Sequence, residues 1–193
     1  MRTSNGGYPC KDLRHKFLLA AQSNAESLTK NELPDGFEVI KLPRHFFDMV
    51  GFRTPDDIVF LADCLSSKNI LEKYRISFIY DVSSYIKTLE MVKKFQAKMF
   101  VPSHAAITED IDELAQYNIE MVYEIAEKIV SLCKEPVFFE VILQRLFTEY
   151  GLIMNFEQYV LVGSTIRSYL AWLKDTDKLN VLFDNNMMLW MQK

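Results

Sequence analysis

The spacing of apolar residues divides the chain into a strand-like region and a helical region. Short runs of β-branched and aromatic residues, separated by turn residues, occupy the stretch between residues 34 and 62. They predict a strand over Phe37–Leu42 and a hairpin formed by Met49–Arg53 and Asp57–Ala62, with Pro55 in the connecting turn. The turn residues Pro34–Gly36 precede the first of these strands. This region is therefore expected to form a small sheet.

The residues before this sheet give weaker signals. The chain up to Lys16 has no periodicity and predicts a loop. Lys16–Gln22 predicts a short buried strand, and Ser23–Asn31, which has a polar start, predicts a short helix.

A helical period begins after the hairpin. Apolar residues recur at three- and four-residue intervals in Val82–Phe95, which predicts a helix with Asp81 as its cap. A strand over Ala97–Val101 is expected next. A longer helix is then predicted over Ile111–Cys133, with Thr108 as its cap. Strands and helices in this arrangement are typical of the α/β class.

The C-terminal part of the chain predicts a small separate module. Lys134–Pro136 interrupts the helical pattern, so we divide the chain into residues 1–133 and residues 134–193. The second part predicts two helices and a hairpin, namely Phe138–Tyr150, Asn155–Asp175, and the strands Leu179–Phe183 and Met187–Met191. Asn155 and Gln158 form a capping pair for the second helix. This order is typical of a winged-helix-like module.

Composition narrows the class of protein. The chain has 193 residues, of which 49% are hydrophobic, so it can bury a sizeable core in one domain or in one domain with an appendage. Its net charge of −4 argues against general affinity for nucleic acid or anionic membranes. The three cysteines have no disulfide-framework or zinc-site spacing, and no apolar run approaches the ~20 residues of a membrane span. A cytoplasmic protein is the expectation.

Metal-capable side chains stand near the ends of three strand-like segments. They are His45, Asp63 and His104, and loops at the carboxyl ends of strands are where α/β proteins build their sites. Imidazole and carboxylate are the usual nitrogen and oxygen ligands of Zn²⁺ and Fe²⁺. The spacing alone is also compatible with two ordinary loop histidines and an aspartate that caps a helix or a turn.

The ordered set of segments resembles a known family. In this order and with these intervals, the segments are similar to the last three metal motifs of the metallo-β-lactamase superfamily: LPRHFFDMVGF (Leu42–Phe52), VFLADCLSS (Val59–Ser67) and MFVPSHAAI (Met99–Ile107). The resemblance implies that His45 binds one metal, Asp63 bridges two metals and His104 binds the second. Ala62 stands where the family commonly has glycine before the aspartate. The tail, QYVLVGSTIRSYLAWL followed by DNNMMLW, resembles the extension of a hydroxyacylglutathione-hydrolase-like branch.

The resemblance implies a partial αββα sandwich with a winged-helix-like α module, and a metal-dependent hydrolase. In such enzymes zinc or iron, two ions in a complete member, activates a water that attacks an ester, thioester, lactam or phosphodiester. The family's H-x-H-x-D-H motif has no match in this sequence. The chain is therefore expected to correspond to the C-terminal half of such an enzyme, incomplete or degenerate, and inactive alone.

An alternative is a non-catalytic protein that retains the fold and acts through dimerisation or partner binding. A half sandwich would expose an apolar sheet face, so we expect a homo-oligomer or pairing with an N-terminal half. A complete enzyme would take a small-molecule substrate. Neither a membrane nor nucleic acid is an expected partner.

Overall fold

A computed structural model describes residues 10–14, 28, 33–43 and 48–193 of the chain. Within these ranges the chain forms a four-stranded sheet, a two-stranded sheet and five α-helices, after a short 3₁₀ turn at Lys11–Leu13. The predicted strand Lys16–Gln22 lies outside the described residues, as does the predicted helix Ser23–Asn31 except for Leu28.

The main sheet contains the predicted strand and the predicted hairpin. Its strands, in spatial order, are β1 (Glu38–Lys41), β2 (Val50–Arg53), β3 (Ile58–Ser66) and β4 (Met99–His104). The first two pairings are antiparallel, and β3 pairs with β4 in parallel. The turn before β1 is confirmed, and Gly36 has a φ of +81° there. Because parallel neighbours need a long crossover, the chain between β3 and β4 has room for helices.

Three helices are associated with this sheet: α1 (Lys68–Tyr74), α2 (Val82–Val92) and α3 (Asp112–Leu132). The first two belong to the crossover between β3 and β4, and α3 follows β4. Both α2 and α3 contact β3 and each other. Asp81 caps α2 as predicted, since its Oδ1 accepts a hydrogen bond of 2.9 Å from the Ser84 N–H.

One face of the sheet is buried and the other is open. Val59 and Leu61 are fully buried and Phe100 is 2% exposed, on the face that belongs to the hydrophobic core. The opposite face carries four apolar residues in direct register across the strands, which we call the apolar row: Val39, Phe52, Phe60 and Val101. Phe60 is 44% exposed and Val39 is 39% exposed. This asymmetry is what a partial sandwich predicts.

The C-terminal part has the predicted order of helix, helix and hairpin. It consists of α4 (Phe139–Glu149), α5 (Phe156–Asp175), β5 (Leu179–Asp184) and β6 (Met187–Gln192). Asn155 caps α5 as predicted, accepting a 2.8 Å hydrogen bond from the Gln158 N–H. Buried residues of this part, such as Ile142 and Trp190, belong to the same hydrophobic cluster as Val59. The winged-helix arrangement itself is not shown, and the boundary at 134–136 stays a prediction.

Some element bounds and caps differ from the predictions. Helix α1 was not predicted, and β3 and β4 extend to Ser66 and His104, so both candidate ligands Asp63 and His104 lie inside strands. Thr108 does not cap α3: its hydroxyl accepts from the Asp110 N–H, whereas α3 begins after Ile111. Among the described residues, none of the helices combines the length and apolarity needed to cross a bilayer.

Gly51 allows β2 to approach β3 closely, and we expect Gly51→Ala to destabilise the protein. A Cβ at this position would lie 2.3 Å from the Phe60 carbonyl oxygen and 2.6 Å from Leu42 Cδ1. Relieving the backbone clash requires a shift of the strand pair, so we expect a loss of about 1–3 kcal/mol in the free energy of unfolding, measured by urea denaturation. Gly163→Ala is the control. There the nearest contact is the flexible Arg167 guanidinium at 3.4 Å, and alanine is the better helix former.

Burial of two cysteines predicts that one thiol of three reacts with Ellman's reagent in the folded protein. Cys10 is exposed, whereas Cys64 and Cys133 are buried. Desolvation raises the pKa of Cys133 to about 11, so its thiol stays protonated and unreactive at about pH 8. Denaturation in urea should release all three thiols. Rapid reaction of more than one thiol without denaturant would contradict the described packing.

Candidate functional site

Asp63 and His104 lie side by side, Asp63 in the C-terminal part of β3 and His104 at the last residue of β4. The distance between Asp63 Oδ1 and His104 Nε2 is 3.3 Å. Their side chains are 42% and 47% exposed, so both are accessible from solvent. Because β3 and β4 are parallel neighbours, their carboxyl ends meet at one edge of the sheet, the edge at which α/β proteins bind ligands.

A bulge in β3 carries Asp63. Ala62 pairs with Pro102, and the next pairing joins Ser66 to His104, so four steps along β3 match two steps along β4. Ala62 enters the bulge with a φ of +46°, a conformation that non-glycine residues adopt at a cost of about 1–3 kcal/mol.

The far end of the bulge is anchored to β4 and to α1. The Ser67 N–H donates a 2.9 Å hydrogen bond to the carbonyl oxygen of His104. Ser67 is also the N-cap of α1, and its hydroxyl accepts from the Ile70 N–H. The backbone on both sides of Asp63 is therefore fixed relative to His104, since Ala62 and Ser66 pair with β4.

The described side chains supply part of a metal centre. A carboxylate and an imidazole in contact have the chemistry that zinc and iron prefer. A catalytic zinc site needs three protein ligands, and within the ranges that the structure describes no group of three or more His, Cys, Asp or Glu could hold a metal. Of the three predicted ligands, the structure brings Asp63 and His104 together, and His45 lies outside the described residues. Their metal roles stay predictions.

A groove of about 630 Å³ begins at His104 and extends between α1 and α5. Its size suits a small organic ligand. Apolar side chains from both helices and the intervening loop line it, together with a lysine and a glutamine: Ile70, Lys73, Phe78, Gln158 and Leu161. The sequence patterns did not reveal the α1 side of this groove. The capping position of Ser67, directly before Lys68–Tyr74, was the signal that could have revealed it.

Comparisons with known proteins show the fold. No protein-family model matches the sequence, and no curated protein matches it. A metallo-β-lactamase family protein from Thermus thermophilus superposes with a TM-score of 0.65 at 13% identity, over 83% of this chain and 54% of that one. A β-lactamase domain protein from Burkholderia ambifaria gives a TM-score of 0.61 at 12% identity, over 81% and 48%. The chain thus spans about half the length of these structures and has part of a metallo-β-lactamase-like fold.

Proposed function

We propose that this chain carries part of the active site of a metal-dependent hydrolase of the metallo-β-lactamase superfamily. The observation that carries the proposal is the contact between Asp63 and His104 at the carboxyl ends of neighbouring parallel strands. In the proposal Asp63 and His104 bind zinc or iron, and His45 is the third ligand that this sequence offers. We also propose that the enzyme belongs to the hydroxyacylglutathione-hydrolase-like branch, because the C-terminal tail of this chain resembles the extension of that branch.

The proposed chemistry is hydrolysis of a small ester, thioester, lactam or phosphodiester. A bound metal would supply an activated water at neutral pH. The chain's own groups have simpler tasks. Asp63 offers a carboxylate and His104 a half-exposed imidazole, and the groove beside His104 offers apolar surface and the Lys73 ammonium to orient an anionic substrate. Three free cysteines, two of them buried, suit the cytoplasmic location that we propose.

The proposed site needs ligands from beyond the described residues. A centre with two ions requires more donors than Asp63, His104 and His45 can provide. The superposition covers only 54% and 48% of the similar structures, so we propose that an N-terminal half, covalently joined or separate, completes the centre. The chain alone is then expected to bind zinc weakly and to be inactive.

Removal of either candidate ligand should weaken the zinc binding further. We expect Asp63→Asn and His104→Ala each to lower zinc affinity about tenfold or more, because each removes one inner ligand from a site with few ligands. Isothermal titration calorimetry with zinc chloride measures this. His45→Ala tests the third ligand in the same way.

A matched control separates ligand loss from a general change in charge. Asp56→Asn removes an exposed carboxylate before the opposite end of β3, so it should leave zinc affinity unchanged. Equal zinc affinity in the wild type, Asp63→Asn and His104→Ala proteins would refute the proposed metal roles.

We also propose that the apolar row is an association surface. Association through this surface is the alternative function, for the case that the chain is non-catalytic. The row crosses all four strands in register, and Phe60 at its centre is 44% exposed. Contiguous apolar surface of this kind marks interaction sites. Either a second copy or an N-terminal half could bury it.

A charge at the centre of the row should prevent association. We expect Phe60→Lys to shift the chain towards monomer in sedimentation velocity experiments, because an ammonium buried in an apolar interface would be desolvated without a partner. Phe183→Lys is the control, since Phe183 is 72% exposed on β5, away from the main sheet. If the wild-type protein is monomeric at all accessible concentrations, self-association through the row is refuted. Pairing with an N-terminal half is then tested by mixing the two chains.

A further inference from the structure

Asn118 connects α3 to the end of the bulge through both backbone groups of one residue. Its Oδ1 accepts a 3.0 Å hydrogen bond from the Ser66 N–H, and its Nδ2 donates a 2.9 Å hydrogen bond to the Ser66 carbonyl oxygen. A neighbouring strand would bond the same two groups of a residue. The Asn118 side chain therefore makes, at Ser66, the two bonds that a neighbouring strand would make.

The amide of Asn118 is fully bonded in the protein interior. The residue is 1% exposed. Its Oδ1 also accepts from the Tyr85 hydroxyl at 3.1 Å, and its Nδ2 also donates to the Leu114 carbonyl oxygen at 2.8 Å. These bonds are satisfied in only one of the two orientations of the amide, because Nδ2 must donate to two carbonyl oxygens and Oδ1 must accept from the Ser66 N–H. The bonds to Tyr85 on α2 and to Leu114 on α3 hold the amide in that orientation.

Ser66 is the residue that ends the bulge. It pairs with His104, and Asp63 lies between it and Ala62, the previous pairing point. The span from Ala62 to Ser66 has two more residues than the facing span of β4, so its path depends on what holds its ends. At the Ser66 end the anchors are the buried Asn118 amide and the Ser67–His104 backbone bond.

We propose that Asn118 is a positioning residue that holds the β3 bulge so that Asp63 meets His104, and that Tyr85 orients its amide. The functional part of this proposal, that the contact between Asp63 and His104 serves metal binding, rests on the proposed function. The mechanical part of the proposal, that Asn118 fixes their proximity, is independent of metal. An apolar residue of the same size would leave the Ser66 N–H and carbonyl oxygen buried without these partners, and the bulge would move to recover them.

The test uses Asn118→Leu in the full chain, with two readouts that require no metal. Hydrogen exchange by NMR reports protection of the Ser66 and Ser67 amides, and we expect it to fall roughly tenfold or more relative to amides in the middle of α3. The second readout is the effect of Asp63→Asn on the imidazole signals of His104. We expect a clear shift in the wild-type background and little or none in the Asn118→Leu background, because the two side chains would no longer be in contact.

Thr165→Val is the matched control for loss of a buried polar group. Thr165 is fully buried on α5, accepts from the Ile79 N–H and donates to the Leu161 carbonyl oxygen, so its removal also breaks side-chain bonds to backbone. It should leave the Ser66 and Ser67 protection and the His104 response unchanged. Tyr85→Phe, which removes one bond to Asn118 and keeps the ring, should lower the two protection factors a few-fold.

The outcomes separate this proposal from the proposed function. If Asn118→Leu retains both the amide protection and the His104 response, the positioning role is overturned. If Asn118→Leu does not fold, Tyr85→Phe decides, and unchanged protection of Ser66 and Ser67 in that variant overturns the proposal. If the positioning readouts change as expected but Asp63→Asn and His104→Ala leave zinc affinity unchanged, the proposed function fails and the positioning role stands.

Discussion

The parallel pairing of β3 with β4 is the constraint on which the candidate site depends. Two parallel neighbours place their carboxyl ends at the same edge of the sheet, and this brings Asp63 within 3.3 Å of His104 although 41 positions separate them. The pairing also requires a crossover, which here contains α1 and α2. Those helices supply one wall of the groove beside His104 and the Tyr85 hydroxyl that contacts Asn118.

The sequence patterns predicted the helices and hairpins that are determined by residues close to them in the sequence. The hairpin of β2 and β3, the helices capped by Asp81 and Asn155, and the β5–β6 hairpin all have turn or capping residues within a few positions of the structure they determine. The proximity of Asp63 and His104 followed from placing both at strand ends and from the family resemblance. His45 lies outside the described residues, so its place in the site stays a prediction.

What the patterns missed depends on contacts between distant segments. The β3 bulge has no signature of its own, because Ala62 is an ordinary residue and its φ of +46° arises from pairing with β4 on one side and anchorage of Ser66 on the other. The sequence around Asn118 indicates only a residue inside a long helix. Its role becomes visible when α3 packs against β3 and the Asn118 amide bonds Ser66. Thr108 was a reasonable cap by spacing, but its hydroxyl is used in a local turn with Asp110 before α3 begins.

The apolar row and the candidate metal site lie on the same two strands, so burial of one affects the surroundings of the other. Phe60 and Val101 of the apolar row are paired across β3 and β4, and the next pairing is that of Ala62 with Pro102, where the bulge begins. A partner that covers the row would therefore end within a few residues of Asp63. If that partner is an N-terminal half of the sandwich, burial of the row and completion of the ligand set are one event. If it is a second copy, the same burial would restrict access to Asp63 and His104. Zinc affinity measured as a function of association distinguishes these cases, because affinity rises with association in the first and falls in the second.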